Sequence, residues 1–417
     1  MASIRPFALG LFLLALGSFQ LPASDWPQLL GPTSDAVYAG PALAEQWPKE
    51  GPRVAWSADI GEGYSSPIVG DGNVVICHRR EDNLIVDCRD AKTGQARWSF
   101  EHAMKFQDGA YMDSGPRPTP TIRQGKVFVH NTDGYLACLD LKNGKKLWSR
   151  HAKGEFKSSA TWHGCCASPL VTDKAVILPV GATNNAGVVA FSVDTGKTLW
   201  QVLDDKASAS TPVMASFGGK QQVLVVTRSH FRSLEPESGR ELWNLPTRRQ
   251  SSGNVYAASP IVFGDKIFIS GWYKLGAQVI QVSDNTPKVL WKNDDALSTH
   301  YAAAIVHKGY LYGFHGHGWE NSGPTLRCVE LASGKIMWEK SKSGSGTIVK
   351  CGDNFLILTD AGELQLGKAD PGDFKIKSRA QVLGRNTRSY PAVADGFVYA
   401  RGAKKLVALD LRASGAK

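Results

Sequence analysis

The sequence predicts an all-β fold, a single eight-bladed β-propeller built from four-stranded antiparallel blades. Three observations carry that expectation. A two-strand unit, GYLACLDLKNGKKLW ending at Trp148, returns as IVDCRDAKTGQARW (Trp98), VVAFSVDTGKTLW (Trp200), FRSLEPESGRELW (Trp243) and TLRCVELASGKIMW (Trp338), with a looser copy, VIQVSDNTPKVLW, at Trp291. Trp56 to Trp338 spans 282 residues in six intervals, an average of 47, which is the length of a propeller blade. The eighth unit stops after three strands, while a lone strand, RVAWSADI around Trp56, stands near the start. Joining the two ties the ends of the chain together and leaves no open ring.

Taken in order, residues 1–24 place one cation, Arg5, before an apolar run from Phe7 to Leu16 and then small and polar residues. That is the pattern of a secretory signal peptide, too short for a membrane span, with cleavage expected near Ala23 or Ser24. An exported chain, periplasmic or extracellular, follows. Residues 25–52 are rich in Pro and Gly and lack periodicity, so they read as an extended cap. The propeller is expected over 53–411 and a tail over 412–417. Each unit opens with a short inner strand marked by a small residue and usually Pro: SSPIV, PTPTI, ASPLV, STPVM, ASPIV. In the third strand Leu136, Cys138 and Asp140 alternate with Ala137, Leu139 and Leu141, the period-2 pattern of a strand with two faces. Asn143-Gly144 then supplies turn residues that tolerate positive φ. The tryptophans Trp56, Trp98, Trp148, Trp200, Trp243, Trp291 and Trp338 are expected to anchor one blade on the next, and Ile376 takes that place in the seventh unit.

The formal charge of +10, from 48 basic and 38 acidic residues, is spread over pairs such as Arg79-Arg80 and Lys404-Lys405 that read as solvated turns, with a weak pull on anionic polymers as the other reading. No nucleic-acid motif is present, and no stretch outside the signal reaches the length of a membrane helix. The first of seven cysteines is Cys77, so no lipid-acceptor Cys sits at the cleavage region. Cys88, Cys138 and Cys328 each stand ten residues before a repeat Trp and read as small buried strand residues. Cys77 and Cys88 are symmetric about Asp82-Asn83, so a hairpin turn there would make them face each other, as a disulfide or as a buried pair.

The residues just before the inner strands should gather at one mouth of the central channel: Tyr64, Arg117, His163 with Cys165 and Cys166, Tyr256, His300 with Tyr301, and Arg388 with Tyr390. Such an aromatic and cationic funnel suits a small planar or anionic ligand. Cys165-Cys166 in TWHGCCASP can close an eight-membered disulfide ring or remain two small residues at a strand start. His315 and His317 in GFHGHGWEN share one strand face near Glu320, a weak metal pattern, and no metal site is expected.

The unit A/C-L-D-x-x-T/S-G-K-x-x-W resembles the pyrroloquinoline-quinone (PQQ) type propeller repeat, shared by quinoprotein alcohol dehydrogenases and the outer-membrane assembly lipoprotein BamB. The resemblance covers nearly the whole chain beyond residue 24, and DWPQLLGP is similar to the opening of exported BamB-like propellers. It implies the propeller fold and two functional readings. The first is a non-catalytic protein-binding or scaffold module of the bacterial cell envelope, with envelope proteins as partners, no cofactor and a monomeric chain. The alternative is a PQQ-dependent oxidoreductase with calcium, in which the resemblance would set a Cys165-Cys166 ring against the quinone. The loops are short beside those of the dehydrogenases, Cys-x-x-Cys-His is absent, and no motif matches the family's catalytic acid. A polysaccharide or glycan ligand is a third, weaker reading.

Overall fold

Alternating burial folds each repeat into one antiparallel sheet. The computed structural model describes residues 25–110, 112–159, 161–247, 256–316, 323–341 and 343–413 and sets eight such sheets in a ring. Blade 1 gives the plan: Ile68–Gly70, Asn73–Arg80, Asn83–Asp90 and Ala96–Ala103 pair in chain order from the channel outward. Its first three strands are buried over most of their length because neighbouring blades cover both faces, and apolar clusters such as Val75, Val86, Val127 and Leu139 fill the space between blades 1 and 2. The outermost strand alternates between part-buried and exposed. The signal-peptide expectation lies outside the described residues, and among these no helix is long and apolar enough to cross a membrane.

Blade 8 closes the ring as expected. Ala392–Ala394, Phe397–Arg401 and Lys405–Asp410 are completed by Arg53–Asp59, with Trp56 opposite Ala408. Arg401, 1% exposed, crosses from blade 8 to blade 1 and donates to the carbonyls of Ser65, Cys77 and Gly61. Burial lowers its pKa to about 10; three carbonyls in place of water keep the guanidinium charge tolerable there.

Residues 25–52 do more than cap. Trp26 pairs with Val69 in the inner strand of blade 1, Pro27 accepts the N–H of Ile122 in blade 2, and Val37–Tyr38 adds a parallel fifth strand to Gly346–Cys351, the inner strand of blade 7. Leu30 clusters with Ile261, Ala303, Ile348 and Tyr390 of blades 5 to 8. The segment therefore spans the channel and stoppers it, with Trp26, Leu30 and Ala36 all but fully buried.

The tryptophans act at the seams. Trp56, Trp98, Trp148, Trp200, Trp291 and Trp338 each donate Nε1–H to a carbonyl just past the third strand of the next blade, those of Ala91, Leu141, Val193, Pro236, Leu331 and Asp370, at 2.7–3.0 Å. For all of these but Trp338, the turn glycine of that next blade lies on the indole. A Cβ on Gly196 would come 2.6 Å from Trp148, and its φ of +68° is the left-handed region. Trp243 breaks the rule because blade 5 has the tight turn Asp284-Asn285 in place of the glycine turn. It donates to Gln222 Oε1 instead, and Gln222 Nε2 donates onward to Asn285 Oδ1.

Two expectations are corrected. Every Trp strand carries a bulge one residue before the Trp, which pairs with the third strand as Trp148 does with Cys138. In blade 7 the bulge is Lys377, and Ser378, opposite Leu366, holds the Trp position; Ile376 faces Gly367. Ser378 Oγ accepts the N–H of Trp47 and donates to Glu45 O. Trp47 Nε1 donates to Ala44 O, while Ala44 N–H takes Leu411 O. That carbonyl follows the third strand of blade 8, in the place of Ala91 or Leu141, so the N-terminal segment supplies the seam that the repeat leaves incomplete. The second correction concerns Cys77 and Cys88. Arg79 grips the turn through Glu81 O and Asp82 Oδ1, and Glu81 takes φ +54°. The turn is thus Glu81-Asp82, one residue earlier than expected, which sets Cys77 against Val86 and Cys88 against Val75. The two thiols are diagonal neighbours, a separation of about 7–8 Å between such positions being too long for a disulfide. Both are free, and burial pushes each up to about 12.

Candidate functional site

Chain passing from the outer strand of one blade to the inner strand of the next enters at the same mouth eight times, which brings distant residues together. Tyr64, Arg117, His163, Cys166, His300, Tyr301, Arg388 and Tyr390 line one cavity of about 320 Å³. Its rim is built on hydroxyl residues at the inner-strand starts. Ser66 Oγ accepts the N–H of Tyr390, Thr119 Oγ1 that of Ser66, Ser168 Oγ that of Thr119, and Thr211 Oγ1 that of Ser168. This belt links blades 8, 1, 2, 3 and 4 and explains the Ser/Thr before Pro in the first four units. Leu29 and Leu30 of the N-terminal segment also line the cavity, from the stoppered side.

Two predicted members do not join. Tyr256 is 3% exposed, packs with Ile267 and Leu275, and donates its hydroxyl to Leu275 O. Cys165 lies off the cavity, with its N–H on Thr132 O and its thiol pushed up to about 12 by burial. Adjacent residues in extended chain point to opposite sides, so only Cys166 turns toward the mouth, where its Sγ–H donates to His163 O. Both cysteines are free thiols, and no eight-membered ring is formed.

Asp108 is the residue the sequence reading missed. Its side chain is fully buried in the long connection 104–120 and accepts from His163 Nδ1 (2.7 Å), Arg117 Nη2 (2.6 Å) and the N–H groups of Ala110 and Met112. Burial raises its pKa, but His163, the Ala110 N–H and Arg117 outweigh this and hold the carboxyl below its ordinary range. Asp108 thus orients both side chains and leaves His163 Nε2 directed away from the shared carboxylate. The guanidinium of Arg117 lies 4.9 Å from the Tyr64 ring centroid and that of Arg388 6.0 Å. Burial raises the Tyr64 pKa and, more strongly, that of Tyr301, so both phenols stay protonated. Trp162, 57% exposed, Met112 and Tyr273 complete the opening. The unequal length of connection 104–120 was the one available signal for Asp108 and Met112.

His315 is no ligand through Nδ1, which accepts the Ser298 N–H; burial lowers its pKa to about 4. His317 and Glu320 lie outside the described residues, and among these no group of His, Cys, Asp or Glu is placed to hold a metal ion.

The family model described as outer membrane protein assembly factor BamB matches residues 36–162 and 81–340. The BamB of Shewanella oneidensis is 23% identical over 378 residues, covering 84% of this chain and 87% of that protein. The quinohemoprotein alcohol dehydrogenase ADH-IIG of Pseudomonas putida is 29% identical over 154 residues, 36% of this chain and 21% of that protein. Among solved structures, the quinohemoprotein alcohol dehydrogenase from Comamonas testosteroni superposes with a TM-score of 0.69 at 13% identity, covering 94% of this chain and 81% of that one. At that identity the likeness speaks for the fold.

Proposed function

This chain belongs to the PQQ-repeat family described as outer membrane protein assembly factor BamB, and from that premise we propose that it is an exported, non-catalytic protein-binding scaffold of the bacterial cell envelope, acting in outer-membrane protein assembly. The observation that carries this reading is coverage: the match to curated relatives of that name runs through most of both chains, whereas the dehydrogenase match spans about a third of this one. A rigid ring whose seams are all closed, with unequal loops on one face, suits recognition of protein surfaces.

The PQQ-dependent oxidoreductase reading is weaker on the donor set. A calcium-held quinone needs several oxygen ligands, carboxylates foremost. Among the described residues that line the cavity none is Asp, Glu, Asn or Gln, and the oxygens of Asp108 are already taken by His163, Arg117 and two backbone N–H groups. The cavity does not fit calcium, and no redox step is assigned to it.

Deleting the gene in its own host and measuring the amount of folded outer-membrane β-barrels tests the scaffold reading. A fall restored by the wild-type chain is expected. Unchanged barrel levels, or quinone-dependent alcohol oxidation by the purified protein, would overturn it.

A further inference from the structure

We infer that the mouth cavity is a metal-independent site for a small aromatic carboxylate, a binding function that the scaffold reading does not require. The argument starts from unused polar groups. Arg388 makes no hydrogen bond or ion pair to any described residue while lining the cavity. Tyr301 and Arg117 line the same cavity, and Tyr301 Oη and Arg117 Nε are buried without a hydrogen-bond partner among the described residues. A buried hydroxyl left without a partner is unfavourable, so a ligand that accepts from Tyr301 gains by satisfying it. A carboxylate can do so while also accepting a forked pair from a guanidinium.

The charged groups that line the cavity favour an anion: Arg117 and Arg388 are on its wall, whereas Asp360, which acts on Arg388, and Asp113, which acts on Tyr64, are not. Arg117 and Arg388 both stand beside Tyr64. Asp108, whose buried side chain offsets Arg117, lies behind it and faces His163 rather than the opening. The rest of the wall sets apolar and aromatic side chains, Leu29, Leu30, Trp162 and Tyr273 among them, beside the hydroxyls of the belt, which suits a ring carrying polar groups. Leu30 closes the floor, held there with φ +64° by the segment that stoppers the channel, and Ala303 stands beside it. The volume of about 320 Å³ is at the lower end of small-molecule pockets, which limits the occupant to one or two rings. Because the floor is closed, a ligand enters and leaves by the mouth alone.

Calorimetric titration of the whole chain with phthalate tests this, in EDTA and again with calcium, with inorganic phosphate as a charge-only probe and PQQ as a planar carboxylate known to take calcium. Saturable binding of phthalate near one per chain, equal in EDTA and calcium and at least tenfold tighter than phosphate, is expected. Arg388→Ala should weaken it at least tenfold and Tyr301→Phe severalfold, with Arg388→Gln as a second variant that removes the charge but keeps a polar side chain. Absence of saturable binding, equal affinity for phosphate, affinity unmoved by both Arg388 variants, or binding of PQQ only with calcium would each overturn the inference.

Discussion

The rim and the mouth of this ring are built in opposite ways. At the rim one contact is copied from blade to blade: an indole docks on a glycine turn and donates to the carbonyl beside it, as Trp148 does with Gly196 and Val193. Where the partner turn changes, as in blade 5, a single buried residue, Gln222, relays the same connection. At the mouth the copied Ser/Thr belt supports side chains that follow no blade-to-blade rule: Tyr64, Arg117, His163, His300, Arg388. A repeat can specify a ring by repetition because each seam needs only its neighbour. A site needs the unrepeated parts, here the long connection carrying Asp108 and the N-terminal segment carrying Leu30.

That contrast can be broken by substitution. Trp148→Ala should have the largest effect, costing about 3–5 kcal/mol in urea denaturation, while Arg388→Ala at the mouth should stay within about 0.5 kcal/mol; equal midpoints would erase the distinction. Gly196→Ala should cost about 2–4 kcal/mol, combining the left-handed backbone penalty with overpacking on Trp148. Gly218, at φ +56° with nothing near a new Cβ, should lose only the backbone part, about 1–2 kcal/mol. If the two glycines behave alike, the indole is not seated as described.

Asp108→Asn should cost about 1–3 kcal/mol at pH 7, and here the mouth has a pH signature that the rim lacks. The folded carboxyl has a depressed pKa. Its contribution is therefore complete above the unfolded value of about 3.9 and is lost as pH falls through the folded pKa. Wild type and variant should converge in acid, as read by urea midpoints at pH 7 and pH 3; a constant gap would rule out ionisation as the source. Smallest is Ser378→Ala, about 0.5–1.5 kcal/mol, since Ser378 ties only the N-terminal segment to blade 7. A loss as large as that of Trp148→Ala would mean that this seam depends on the serine more than on Trp47.

By itself, the sequence determined the ring: its blade number, the closing strand, the tryptophan seams and most of the mouth. These follow from local pattern, because a period of two, a glycine turn and a unit of fixed length are visible wherever they recur. It also pointed eight of ten mouth residues to one cavity, since position before an inner strand dictates where the chain enters. Tyr256 and Cys165 failed for a reason that pattern does not contain, the direction in which a side chain leaves the backbone. The Glu81-Asp82 turn escaped because it is selected by the hydrogen bonds of one side chain, Arg79 to Glu81 O and Asp82 Oδ1, which an alternation pattern does not contain. Only the tertiary structure decided that residues 25–52 thread the channel, that Trp47 serves the seam beside Ser378, and that Asp108 arms His163 and Arg117. Each occurs once and rests on a partner distant in the chain, as Asp108 does on His163 and Trp47 on Ser378, and an unrepeated long-range contact leaves no periodic trace in the chain that makes it.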